Sequence, residues 1–136
     1  MLSGIYIIKP NGNCFFSYII EKGEHKQDPD MMAPFFIALC GFINVEFGST
    51  LKEMIFLDLD SRERHVYFQD FSFKNGSLRY YIVIIYQKGA SLVDIKSNII
   101  KLKWEIESKW LDHMNQPAIS RQASEAIFEK VKGWMD

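Results

Sequence analysis

Met31 to Phe47 reads MMAPFFIALCGFINVEF, the longest apolar run in the chain, interrupted only by Asn44 and Glu46. Wound as a helix, it sets Met32, Phe36, Leu39, Ile43 and Phe47 on one side, at the i, i+3, i+4 spacing of a helix resting on a core. The rest of a surface helix should be polar. Here Met31, Phe35, Phe42 and Val45 form a second apolar strip, and Pro34, Ala38 and Gly41 fill the back. A helix that is apolar all round is buried all round, and in a short chain the second cover can come from another molecule. The alternative is that loops or the N-terminal hairpin cover that side. Small residues at Pro34, Ala38 and Gly41 would let a second helix come close while Phe35 and Phe42 anchor it, so the expectation is a docking surface.

The flanks of this run fix its place. Upstream, Glu21 to Asp30 (EKGEHKQDPD) is a polar loop whose last Asp is expected to cap the helix, and Gly48-Ser49 is expected to end it. Further upstream, Gly4–Lys9 (GIYIIK) and Cys14–Ile20 (CFFSYII) enclose Pro10-Asn11-Gly12-Asn13, and Asn-Gly between two such runs predicts a β-hairpin. Downstream, Lys52–Leu59, His65–Phe73 and Leu78–Gln87 are separated by the turn-like Asp60-Ser61-Arg62-Glu63 and Lys74-Asn75-Gly76-Ser77, which predicts an antiparallel meander. Within the last run, YYIVIIY does not alternate polar with apolar, the pattern of a central strand covered on both faces. Ser91 then caps a helix whose Leu92, Ile95, Ile99, Leu102, Ile106 and Trp110 share one face. Asn115-Gln116-Pro117 breaks it. A shorter helix follows from Ser120 or Ser124, with Ala123, Ile127, Val131 and Trp134 on one side. The simplest arrangement is an α+β fold of order β-β-α-β-β-β-α-α: a five-stranded antiparallel sheet between the first helix and the two C-terminal helices.

A chain of 136 residues fits one domain, 1–136, with room for a core. Its 48% hydrophobic content excludes disorder, and 15% aromatic residues, eleven of them Phe, promise extensive contact area. A net charge of −1 supplies no bulk field toward nucleic acid or acidic lipid. Cys14 and Cys40 lie inside apolar segments without CxxC spacing, as reduced core thiols of a cytoplasmic protein would. No basic segment followed by an apolar signal region opens the chain. The apolar stretch 31–45 is short of the about 20 residues that a spanning helix needs.

The opening GIYIIKPNGNCFFSY hairpin, the long apolar first helix, the LKEMIFLDL to LRYYIVIIY meander and the terminal helix pair together resemble the longin domain, over nearly the whole chain. This is the profilin-like module of longin-type SNAREs, small adaptor subunits and trafficking complexes that regulate small GTPases. The segment FIALCGFINVEFGSTLKEMIFLDL is also similar to longin and roadblock-type proteins that occur beside small GTPases in archaea related to eukaryotes. A roadblock-type GTPase regulator is the nearest competing reading, but roadblock domains usually open with a helix, whereas a strand begins here almost at once. The resemblance implies a non-enzymatic interaction module without cofactor or metal. Its partners would be a second copy, another longin or roadblock domain, or a small GTPase, bound through the first helix and the neighbouring edge strand. In this chain those are Met31, Pro34, Phe35, Ala38, Gly41, Phe42 and Val45 on the helix, and Met54 and Phe56 on the strand Lys52–Leu59. The chain stops at Asp136 with neither a SNARE heptad segment nor a membrane anchor, which favours an adaptor or GTPase-platform role over a fusogenic one.

Chemistry-bearing residues are dispersed. His25, His65 and His113 have no ligand spacing. Asp58, Asp60 and Glu63 in DLDSRER lack the Gly and terminal Glu of a calcium loop and match ordinary turn composition. Gly89-Ala90-Ser91 before a helix lacks a phosphate-loop motif and reads as a capped start. Neither cysteine has a sequence-adjacent base. Lys96, Lys101, Lys103 and Lys109 interleave with Glu105 and Glu107 as on a solvated face. A small-molecule sensor of the PAS or GAF type is the alternative class, its sheet and helices enclosing a ligand pocket.

Overall fold

Asn11-Gly12 makes the first turn. Gly12 takes φ +88°, open to glycine at no steric cost, and donates its amide to the Lys9 carbonyl at 2.9 Å, while the Asn13 amide donates to Asn11 Oδ1 at 3.0 Å. The turn joins β1 (Leu2–Ile8) and β2 (Cys14–Ile19), which pair antiparallel from Gly4 opposite Ile19 to Ile8 opposite Cys14. The computed structural model describes residues 2–20, 28–57, 60–72, 78–116 and 121–135.

Helix α1 (Pro29–Phe47) starts two residues before the apolar run. Its cap is Asp28 rather than the expected Asp30: Asp28 Oδ1 accepts from the Asp30 amide at 3.0 Å, and Pro29, whose fixed φ and missing N–H suit the first helical position, follows it. Gly48 ends α1 in the left-handed conformation, φ 60°, donating to the Asn44 carbonyl at 3.0 Å.

Strands β3 (Glu53–Leu57), β4 (Glu63–Ser72) and β5 (Arg79–Gln87) form the antiparallel meander, and β5 also pairs with β1, giving the sheet order β2-β1-β5-β4-β3. Asp58, Leu59 and the second Asn-Gly turn at 75–76 lie outside the described residues. Strand β5 is central and covered on both faces, which is why its sequence does not alternate. Tyr80, Ile82, Ile84 and Tyr86 enter one core layer, Val83 and Ile85 the other.

The first layer is closed by α2 (Leu92–Glu105), capped by Ser91 and continued by a π-helical turn, Ile106–Trp110, and by α3 (Arg121–Val131). Ile95, Ile99, Leu102, Ile106 and Trp110 pack there with Ala123, Ile127 and Val131, as spacing predicts, whereas Leu92, expected on the same face, is 39% exposed in the first turn of the helix. The second layer is closed by α1. One helix on one face and two on the other is the architecture implied by the longin resemblance.

The buried stripe of α1 is rotated from the expected one. Ala33, Phe36 and Cys40 are its buried residues, flanked by Met32 and Ile37, and Phe36 sits edge-on to Tyr6 and Phe68 with ring centroids 5.4 and 5.6 Å away. Leu39 and Ile43 are half-buried, and Phe47 is 66% exposed. Small side chains at Ala33 and Cys40 bring the helix close to the sheet, and beyond Cys40 no α1 residue is fully buried. At 19 residues α1 is, by length and composition alone, long and apolar enough to cross a membrane. Here its inner stripe lies on the sheet.

Candidate docking surface

The residues marked out on the back of α1 lie together on its outward side. Met31, Pro34, Phe35, Ala38, Gly41, Phe42 and Val45 are all exposed, Phe42 by 56% and Val45 by 79%. Neither the hairpin nor any other described segment buries them. Phe42 packs edge-on against Phe47 with centroids 6.2 Å apart, so the aromatic surface extends to the end of the helix, although spacing places Phe47 on the core side. At Gly41 no atom beyond the helix's own backbone and its chain neighbours lies within 4 Å of where a Cβ would stand, leaving the backbone open to close approach.

Strand β3 lies at one edge of the sheet, and its outer side has no strand neighbour among the described residues. Met54 pairs with Val66 and Phe56 with Arg64; Val66 belongs to the α1 core layer, so Met54 and Phe56 face the α1 side. Met54 is half-buried against that layer and Phe56 is exposed. Ile55 and Leu57 are exposed on the opposite side. The period-2 rule alone would have separated the two pairs.

Between the C-terminal half of α1 and the ends of β4 and β5 lies an open cleft of about 320 Å³. Cys40, Asn44, Thr50 and Tyr81 line it, with an ion pair at 2.5 Å between Arg79 Nη1 and Asp70 Oδ2. Burial pushes the thiols of Cys14 and Cys40 up to about 11, so at neutral pH both are protonated and poor nucleophiles. Both are free cysteines.

On the other face, sequence reasoning missed a polar cluster because its members are distant in the chain. His65 Nδ1 lies 2.8 Å from Glu53 Oε1, Tyr86 donates its hydroxyl to the same oxygen at 2.5 Å, and His65 Nε2 lies 3.4 Å from Glu63 Oε2. Lys88 adds a charge 3.7 Å from Glu63. The hydrogen bond to Glu53 raises the His65 pKa, and those from Tyr86 and His65 lower that of Glu53. The two carboxylates address opposite nitrogens of the ring, so they do not converge on one point.

The remaining candidates sit apart. His25 and Asp58 lie outside the described residues; Asp60 is in an exposed turn. His113 packs edge-on to Trp110, centroids 5.1 Å apart. Ser91 Oγ accepts from the Asp94 amide at 3.3 Å, an ordinary capped start. Among the described residues no group of three or more His, Cys, Asp or Glu could hold a metal ion.

The sequence matches no protein-family model and no curated protein. Among solved structures, the chain is similar to the gliding protein MglB from Thermus thermophilus, with a TM-score of 0.49 and 12% identity, over 70% of this chain and 67% of that one.

Proposed function

We propose that this chain is a non-enzymatic interaction module of longin type. It dimerises through the outward side of α1 and the adjoining front of β3, and the pair serves as an adaptor or platform for small-GTPase or trafficking-type complexes. One observation carries the dimerisation reading: an apolar strip from Met31 to Val45 lies in solvent on a helix whose inner stripe is already packed. Phe35 and Phe42 supply aromatic anchors, with Pro34, Ala38 and Gly41 as low ground between them. The GTPase element of the proposal rests on the longin resemblance of the sequence and on the fold.

Sedimentation at micromolar concentration tests it. The chain is expected to be a dimer, and the double variant Phe35→Asp/Phe42→Asp a folded monomer with an unchanged far-ultraviolet spectrum. A monomeric parent chain would remove the homodimer. Capture by a second longin or roadblock chain through the same two phenylalanines is then the remaining form, and failure of both ends the proposal.

The cleft lined by Cys40, Asn44, Thr50 and Tyr81 favours one second reading, a small-molecule sensor. Native mass spectrometry of the purified chain would show a retained ligand, and Tyr81→Ala would release it.

A further inference from the structure

Helix α2 carries an apolar line that serves no core. Val93, Ile100 and Trp104 repeat at i, i+7 and i+11, which places them along one side of the helix over about 16 Å. That side is turned away from Ile95, Ile99 and Leu102, which pack on the sheet. Val93 is 76% exposed, Ile100 47% and Trp104 71%, so the whole line lies in solvent. Exposed Lys96 and Lys101 flank the line on either side, and no ion pair joins either of them to a described residue. The other lysines of this segment are engaged: Lys103 with Glu107 at 3.0 Å and Lys109 with Glu105 at 3.5 Å. Asp94 lies in the first turn, where the helix N-terminus holds a carboxylate favourably.

We infer that this side of α2 is a peripheral site for an anionic lipid surface. Charge decides the kind of occupant. Two exposed lysines make this side positive, which a negative occupant complements, whereas a second copy presenting the same side would set lysines against lysines. Shape decides its class: three side chains in a single line along an exposed helix offer little contact area to a protein partner, whereas a headgroup layer needs no matching groove. A tryptophan flanked by lysines suits that layer, the indole at the acyl boundary and the ammonium groups among the phosphates. Because α1 and α2 lie on opposite faces of the sheet, the inference stands independently of dimerisation through α1.

The test is co-sedimentation and tryptophan emission of the full chain with phosphatidylcholine vesicles, with and without phosphatidylserine. Binding and a blue shift are expected only with phosphatidylserine, declining as salt is added. Lys96→Gln/Lys101→Gln should weaken binding about 25-fold, about fivefold per lysine. Trp104→Phe should keep the binding and lose most of the shift, and Trp104→Asp should lose both. The inference is overturned by no binding, by equal binding to both vesicles, by a blue shift that persists in Trp104→Phe, or by binding that survives Trp104→Asp. Emission of Trp104 that shifts with an acidic helical peptide and not with vesicles also overturns it.

Discussion

The imidazole of His65, on β4, is held 2.8 Å from the carboxylate of Glu53, the first residue of β3, so a titratable contact ties the edge strand to the sheet. Glu63 and Tyr86 complete the surroundings, with Lys88 on Glu63. His65 binds its proton more tightly folded than unfolded. Its contribution is therefore complete below its ordinary value of 6.5 and is lost as pH rises through the raised folded value. Glu53 is shifted the other way. Its contribution is present above its ordinary value of 4.5 and is lost as pH falls through the lowered folded value. Both act fully between 4.5 and 6.5. Urea midpoints should thus be higher at about pH 5.5 than at about pH 8, and His65→Gln should flatten that difference. Equal midpoints in the parent chain at both pH values would refute the tie.

Phe36 anchors α1 to the sheet between Tyr6 and Phe68, and is 2% exposed. Phe36→Ala removes its transfer free energy and both edge-on ring contacts, and leaves a cavity under a helix that cannot collapse onto two strands. A loss of about 3–5 kcal/mol is expected by urea titration. Phe35→Ala, one residue along and outward, should cost less than about 1 kcal/mol. Comparable losses at the two positions would contradict the inner and outer sides of α1 described above.

The fold was legible in the sequence wherever one local signal determined one element. Asn11-Gly12 gave the hairpin, the unalternating YYIVIIY gave the central strand, and Ser91 gave the start of α2. The longin resemblance pointed to the same order of elements. The orientation of α1 was harder, because a helix apolar on every side offers several equally good stripes and spacing cannot rank them. What ranks them is how closely the sheet lets the backbone approach, which favoured Ala33 and Cys40 over Leu39 and Phe47. Asp30 is the carboxylate nearest the apolar run, but the Pro29 that follows Asp28 is the stronger signal of where the helix begins. The Glu53–His65–Tyr86 cluster could not be read at all, since it exists only once the register of β3, β4 and β5 is known.

Gly48 stops α1 at φ 60°, with no atom within 4 Å of where a Cβ would be. A methyl group there meets nothing, so Gly48→Ala isolates the cost of the left-handed backbone. It should destabilise by about 1 kcal/mol, with Gly48→Asn falling between the two because asparagine tolerates that conformation better. Thermal unfolding of the three chains checks the order. An Ala variant as stable as the parent would mean that the helix ends otherwise.

Alternation along β3 separates two neighbours that composition cannot. Phe56 lies on the α1 side and Ile55 on the opposite side, both exposed at the sheet edge. If the dimer is built on the α1 side, a charge at Phe56 meets the partner and a charge at Ile55 meets water. Phe56→Glu is then expected to weaken the dimer by about 1–2 kcal/mol, a roughly 5- to 30-fold rise in its dissociation constant, while Ile55→Glu changes it less than about twofold. Both substitutions are on the surface and should leave monomer stability within about 0.5 kcal/mol. Analytical ultracentrifugation over a concentration series reads the two constants. The opposite order, with Ile55→Glu the more damaging, would put the partner on the His65 side of the sheet and detach association from α1.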